Sequence, residues 1–320
     1  MISVIVLNRN GKEYLKECLE SLKIQTYKDF EVIFVDNGST DDSIEYVKNN
    51  FPEVKILALG KNVGFAKGNN EGIKISQGEY IVLLNNDTKV DRFWLEELYK
   101  AISKNPSIGF CASKIIFYND QEKIDSAGDG YSLCGAPFKR GHFEHKNKHN
   151  NKEEVFGACA AAAIYRRTML NDIGFLDEDF FIGFEDSDLS FRAQLRGYKC
   201  LYVPKAIVFH RGSATIGKLS NLQVYYGQRN VEYVYIKNMP SFLIFRYFFS
   251  HLIYNLIGFL FFLSKGKGLF FLKAKYSVLK NLPKLFKKRK IIQNNRKVDD
   301  NYLKKIMEKK CFRVRIKGKI

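Results

Sequence analysis

The sequence predicts an α/β fold: a mixed, mostly parallel sheet flanked by helices. Three observations carry that expectation. Short β-branched runs alternate with amphipathic stretches through the first ninety residues. The runs are continuously apolar, as in strands buried on both faces. Each run then gives way abruptly to polar residues. The strand-like runs are 2–7, 30–35, 54–59 and 80–84, and the stretches 12–24, 41–50 and 65–76 between them carry helical spacing. Helices of that length between buried strands are the crossovers that parallel neighbours require.

Taken in order, "MISVIVLNRNG" has too short an apolar run, too soon charged, for a secretory leader, and reads as a first strand. The four strands end in Asn8-Arg9, Asp36-Asn37-Gly38, Lys61-Asn62 and Asn85-Asn86-Asp87. In a parallel sheet these ends share one edge, where ligands collect. The fourth run, "YIVLLNNDTKV", is the most telling, because a core strand stops on two amides and a carboxylate. Capping of the next helix would need only Thr88 or Asp91. Gly64, Gly68 and Gly72 in "NVGFAKGNNEGI" resemble a phosphate loop, but their four-residue spacing suits close helix packing as well. Residues 118–154 are rich in Gly, Asn, Lys and His and read as loops with a hairpin. Order returns with an apolar run at 158–165, a helix at 186–196, and strands at 199–203 and 207–210. In that helix the acids at the start suit capping, and Asp188 and Arg192 have the spacing of an ion pair.

The six cysteines (Cys18, Cys111, Cys134, Cys159, Cys200 and Cys311) are scattered, with no CxxC. This suits thiols in a reducing cytoplasm and argues against a thiolate metal site. The net charge of +18 is uneven: residues 265–320 hold 20 Lys and Arg against three acids, and the first 264 hold 32 against 31. A neutral body therefore carries a basic tail. Residues 241–264, "SFLIFRYFFSHLIYNLIGFLFFLS", are long enough to cross a bilayer but include Arg246, His251 and Asn255. We expect a division into a body at 1–240 and a helical, membrane-associating tail at 241–320. Its aromatic-rich helices would lie in the interface, with "LPKLFKKRK" on anionic headgroups.

The segments "VIVLNRNG", "VDNGSTDDS", "NVGFAKGNNEGI", "LLNNDT", "GFLDEDFFIGFEDSDLSFRAQLRGYK" and "VFH" occur in the order found in family 2 glycosyltransferases of the GT-A fold. The resemblance covers residues 1–240 and looks closest to the rhamnosyltransferase-like subgroup of surface-polysaccharide assembly. It implies an inverting hexosyltransferase, moving sugar from a nucleotide-sugar donor (dTDP-rhamnose or a UDP-sugar) to a glycan or polyprenyl-linked acceptor. It also implies a cytoplasmic location on the inner face of the cell membrane, because the body must meet cytoplasmic nucleotide sugar.

Residue by residue, Asp36 matches the family position that accepts the imide N–H shared by uracil and thymine, and it reads equally as the head of an Asx-turn. Asn8, Asn62, Asn69 and Asn86 would face the nucleotide sugar. Asp87, last acid of the DxD-like motif, would hold Mn2+ or Mg2+ against the diphosphate. Many relatives carry another acid two places on; here it is Lys89, which shifts weight to His210 as second ligand. A lone His at a strand end is otherwise structural. By resemblance Asp186 is the base for the acceptor hydroxyl, with Glu185 assisting; acids at a helix start are held as carboxylates. Residues 157–167, "GACAAAAIYRR", resemble the acceptor-side segment and read equally as a tightly packed strand. Other classes fit less well: a nucleotide-binding module that has lost catalysis would not retain "EDSD". A nucleic-acid binder would use the basic tail but leaves the neutral body and its four polar strand ends unexplained, so no nucleic-acid partner is expected. A nucleotidyltransferase would want a Gly-rich, basic loop after the first strand, which "LNRNGKEY" supplies only in part.

Overall fold

The computed structural model describes residues 1–212 and 219–309. The chain enters through β1 (Ile2–Asn8), crosses by α1 (Lys12–Lys23) to β2 (Phe30–Asp36) and by α2 (Ser43–Asn50) to β3 (Lys55–Ala58). It then returns through α3 (Phe65–Ile75) to β4 (Tyr80–Asn85). A turn leads to β5 (Thr88–Val90), α4 (Trp94–Ser103) and the long β6 (Ile108–Phe117). Four short strands follow: β7 (Ile124–Ala127), β8 (Asp129–Tyr131), β9 (Pro137–Lys139) and β10 (Glu153–Val155). Next come β11 (Ala162–Arg166), α5 (Arg167–Ile173), α6 (Glu185–Leu195) and β12 (Lys199–His210). Helices α7 (Asn221–Asn238), α8 (Ser241–Ser264), α9 (Gly268–Asn294) and α10 (Asp300–Ile306) complete the described chain.

The main sheet has ten strands in the order β10-β12-β6-β11-β4-β1-β2-β3, with β5 paired to β12 and β7 to β6. Strands β3, β2, β1 and β4 are parallel, and β11 runs against both β4 and β6. Six of the ten strands share one direction, so the expected mixed architecture is what forms. Strand β4 shows why its run is unbroken. Val82 and Leu84 join one core with Val4 and Val6, and Ile81 and Leu83 join the opposite core with Ile5. Glycines 68 and 72 serve packing: a Cβ there would meet Leu7 at 2.6 Å and Ile5 at 2.7 Å, so α3 sits close on the sheet.

Some elements differ from the expectation. The two strands expected at 199–203 and 207–210 are the single strand β12, whose register slips between Val203 and Ile207. Pro204 lies in that slip, where it can withhold its missing N–H from the ladder. Only the second half of the apolar run 158–165 becomes strand. Strand β6 and helices α4, α5 and α7 had no counterpart in the sequence reading. The five described cysteines form no disulfide, and Cys311 lies outside the described residues.

Segments before and after Pro240 share one packed cluster: Phe180, Phe191 and Leu195 meet Leu243, Val278 and Leu285. Helix α8 lies along α7. Lys267 just beyond the end of α8 donates to Asn221 at the start of α7 (2.6 Å), and His251 in mid-helix meets Glu232 (3.0 Å). Asn255 also faces inward, its Oδ1 accepting from Lys275 (2.5 Å). Two of the three polar residues in this apolar helix thus point at protein. Its outer side exposes Phe245 (84%) and Phe249 (75%), with Leu252 and Leu256 in line, and α9 adds Leu269, Leu272, Tyr276 and Leu279. By length and composition α8 is the one helix among the described residues able to cross a membrane.

Candidate functional site

The parallel register sets the first layer of the site. Asn8 and Asp36 are paired residues at the ends of β1 and β2, and Asn85 at the end of β4 lies beside Leu7. Asn86 continues from β4 and donates from Nδ2 to Asn8 Oδ1 at 2.6 Å, both residues being buried. Gly11 lies so close that a Cβ there would meet Asn86 Nδ2 at 2.1 Å. Asp36 has two distinct oxygens. Oδ2 accepts the N–H groups of Gly38 (3.1 Å) and Ser39 (3.0 Å), which is the Asx-turn. Oδ1 is buried with no hydrogen-bond partner. The structural and ligand readings of Asp36 therefore need not compete, because each has its own atom.

The second layer forms because β5 pairs with the end of β12, Thr88 opposite His210. That register brings His210 Nε2 to 3.3 Å from Asp87 Oδ1, an oxygen with no hydrogen-bond partner. The other ring nitrogen, Nδ1, lies 2.9 Å from Asp125 Oδ2, so a carboxylate–imidazole–carboxylate chain is built across β7, β12 and the β4–β5 turn. Lys139 holds Asp125 by both oxygens, at 2.7 and 2.8 Å. Burial disfavours a charged His210, but the hydrogen bond to Asp125 and the nearby Asp87 carboxylate outweigh it and raise the ring to about 9. Burial likewise opposes ionisation of Asp125, yet Lys139, His142 and His210 hold it well below the usual carboxylate range. Lys89 of β5, opposite Phe209 of β12, is exposed.

This arrangement fits a divalent cation. A carboxylate oxygen and an imidazole nitrogen converge, the oxygen is otherwise unpaired, and the far ring nitrogen is fixed by a second carboxylate, as metal-binding histidines are. Asp87 and His210 are the residues that could hold it.

The third layer comes from α6. Phe184 precedes it with φ 66°, and no side chain caps the helix, so the expected capping role for its acids is not what forms. Glu185 and Asp186 instead lead the first turn. Asp186 Oδ2 accepts the N–H of Ala160 at 3.2 Å, and Asn85 N–H donates to the adjacent Ala161 carbonyl at 2.9 Å. Adjacent residues of one segment thus bind the acid of α6 and the strand end that carries Asn86 and Asp87. Glu185 is 5% exposed, and its Oε2 has no partner. Burial and the neighbouring Asp186 charge raise Glu185. Burial raises Asp186, against the N–H groups of Ala160 and Ser187 and the Lys139 charge. Asp188 does form the expected pair with Arg192, Nε to Oδ2 at 2.8 Å.

Two other amide candidates are bonded to protein. Asn62 Oδ1 accepts from Asn37 Nδ2 (3.1 Å), the residue after Asp36, and from Gly64 N–H (3.0 Å). Asn69 is 1% exposed and donates to the Phe65 carbonyl of its own helix. Two residues went unnoticed in the sequence. Asp125 and Asp129, in "KIDSAGDG", lie within a stretch that reads as loop, and Asp129, Cys159 and Asp186 have ligand atoms within 4.8 Å of one another. Burial, then the Asp186 charge, raises Asp129 to about 8. No local periodicity marks either acid.

A mixed sheet flanked by helices, with amides and carboxylates gathered at the ends of its parallel strands, defines an α/β protein of the GT-A-like class. A model of the family described as glycosyl transferase family 2 matches residues 3–174. The chain belongs to glycosyl transferase family 2. It is 28% identical to the poly-β-1,6-N-acetyl-D-glucosamine synthase of Staphylococcus epidermidis over 72% of this chain and 55% of that protein. It is 23% identical to the N-acetylglucosaminyl-diphospho-decaprenol L-rhamnosyltransferase of Mycobacterium tuberculosis, over 68% of this chain and 78% of that one. It spans only 15–36% of the length of several other curated relatives. Among solved structures, GalNAc-T7 with UDP, GalNAc and Mn2+ superposes with a TM-score of 0.57 at 19% identity, over 74% of this chain and 50% of that one.

Proposed function

We propose that the protein is an inverting glycosyltransferase that moves a hexose from a nucleoside-diphosphate sugar to a hydroxyl of a glycan or polyprenyl-linked acceptor in cell-surface polysaccharide synthesis. The observation that carries this reading is where unpaired acid oxygens fall. Among the described residues, the buried carboxylate oxygens without a hydrogen-bond partner are Asp36 Oδ1, Asp87 Oδ1 and Glu185 Oε2. Folded proteins rarely leave such atoms unpaired, and all three belong to residues that the sequence marks for donor, cation and acceptor.

In this reading Asp36 Oδ1 accepts the imide N–H of the base, while Asn8 and Asn86 line the ribose side. Neither feature separates UDP from dTDP, and dTDP-rhamnose or a UDP-sugar is the proposed donor. A divalent cation, Mn2+ or Mg2+, held by Asp87 and His210 would neutralise the diphosphate charge. Asp125 keeps the imidazole oriented for that role. Asp186 takes the proton of the acceptor hydroxyl as its oxygen attacks the anomeric carbon opposite the diphosphate. The bond to the diphosphate oxygen breaks with its electron pair, and configuration inverts. A raised carboxyl, once ionised, is a better proton acceptor than an ordinary one, which suits Asp186 to an alcohol.

The tail is proposed to lie on an anionic membrane surface at the inner face of the cell membrane. Supporting this, α8 turns His251 and Asn255 inward and exposes Phe245, Phe249, Leu252 and Leu256. A helix packed along the body in this way suits an in-plane position better than a crossing.

The test is a screen of UDP, dTDP and their sugars by thermal shift with Mn2+, followed by nucleotide release and transfer. Mn2+-dependent stabilisation by one nucleotide is expected, and indifference to both would overturn the reading. Co-sedimentation with phosphatidylglycerol vesicles at low salt checks the tail. Protein left in the supernatant would refute membrane attachment.

A further inference from the structure

The acids at 185 and 186 follow an unusual loop. Phe181, Gly183 and Phe184 all have positive φ (60°, 84° and 66°), a conformation that costs bulky residues free energy and persists only where surroundings enforce it. The enforcement comes from α7 and α9. Asn230 Nδ2 donates to the carbonyls of Phe180 (3.0 Å), Ile182 (3.0 Å) and Gly183 (2.7 Å). Lys237 is 1% exposed and joins Asp177, before the loop, to Asp188 Oδ1 (2.8 Å), after it. From α9, Lys288 donates to Asp177 Oδ1 (2.5 Å) and Asp179 Oδ2 (2.7 Å). The two ends of the loop are thus drawn to one ammonium, and the tail helix grips the near end.

We propose that Lys237 and Lys288 are positioning residues for the acceptor-side carboxylates. By fixing Asp177, Asp179 and Asp188 they hold the strained loop 181–184, and so the first turn of α6, in the geometry that presents Glu185 and Asp186. Helix α9 is then a working part of the active site as well as of the tail. The inference rests on the proposed role of Asp186. Neither lysine touches the strand-end site, so donor binding should not depend on them.

The experiment compares Lys288→Ala, Lys288→Arg, Lys237→Met and Asp186→Asn in the full chain. Nucleotide release to water from UDP-N-acetylglucosamine and dTDP-rhamnose reports catalysis, UDP affinity with Mn2+ by calorimetry reports the donor side, and hydrogen exchange reports the loop. Lys288→Ala should lower kcat about 10-fold, as a slightly misplaced group does, with UDP affinity changed less than about 2-fold. Exchange protection should fall at 181–188 and stay unchanged in β1 and β4. Lys288→Arg should restore most of the rate. Lys237→Met removes a buried charge partner and can fail to fold, which is why half-buried Lys288 carries the test. Unchanged release and unchanged protection in Lys288→Ala, with Asp186→Asn inactive, would overturn the inference alone. Full release by Asp186→Asn would instead overturn the reading beneath it.

Discussion

The strand-end site and the helical layer behind it both bury carboxylates, and, Asp125 with its Lys139 partner apart, they treat them oppositely. At the site, burial raises Glu185, Asp186 and Asp129, the Asp186 charge adds to the first and last, and three acid oxygens accept no hydrogen bond. In the helical layer every acid is answered. Burial opposes ionisation of Asp177, but Lys237 and Lys288 pull it far down, and Lys284 and Lys288 lower Asp179. Glu232, equally buried, is brought down to about 2 by His251 and Lys275. A paired buried acid fixes architecture, whereas an unpaired one is an energetic liability.

That contrast can be broken in several ways. The largest effect belongs to Asp186→Asn, expected to lower transfer about 1,000-fold while leaving UDP affinity within about 3-fold. Loss of UDP binding instead would move this residue from acceptor to donor. Asp87→Ala should abolish the Mn2+ dependence of UDP binding, and Asp125→Asn should weaken it about 10-fold or more through the orientation of His210. Mn2+ titrations by calorimetry check both.

On the helical side, Glu232→Gln should cost about 3 kcal/mol, because it leaves Lys275 and His251 without their buried counter-charge. Urea unfolding followed by circular dichroism measures this. The pH dependence should divide along the same line. Glu232 is lower folded than unfolded, so its contribution is present above the ordinary Glu range and fades as pH falls from about 4 towards 2. Asp129 is higher folded than unfolded, so its cost appears as pH rises towards about 8. Asp129→Asn should therefore raise Tm at pH 9 and change it little at pH 5. Equal shifts at both would mean that Asp129 titrates normally. The smallest expected change in fold stability is from Phe249→Glu on the exposed face, within about 0.5 kcal/mol, although vesicle binding should fall.

The sequence was most legible where local rules act. The runs at 2–7, 30–35 and 80–84 become β1, β2 and β4 because a strand covered on both faces must be apolar throughout. The polar residues after them fall on one edge because parallel strands in register end together. Asp188–Arg192 followed from helical spacing alone. Boundaries failed where a long-range partner intervenes, as at β12, whose two halves are one strand only because β6 pairs with both.

What the chain by itself determined is the alternation of strand and helix and the chemistry at the strand ends, since both depend on neighbours a few residues apart. What only the folded molecule decided is which groups meet. Asp125 reaches His210 across 85 positions through the register of β7 and β12 on β6, and no local signal encodes it. The inward turn of His251 and Asn255 on α8 was settled the same way by Glu232 and Lys275. Burial and pairing are properties of packed surroundings, so the split between answered and unanswered acids exists only in three dimensions.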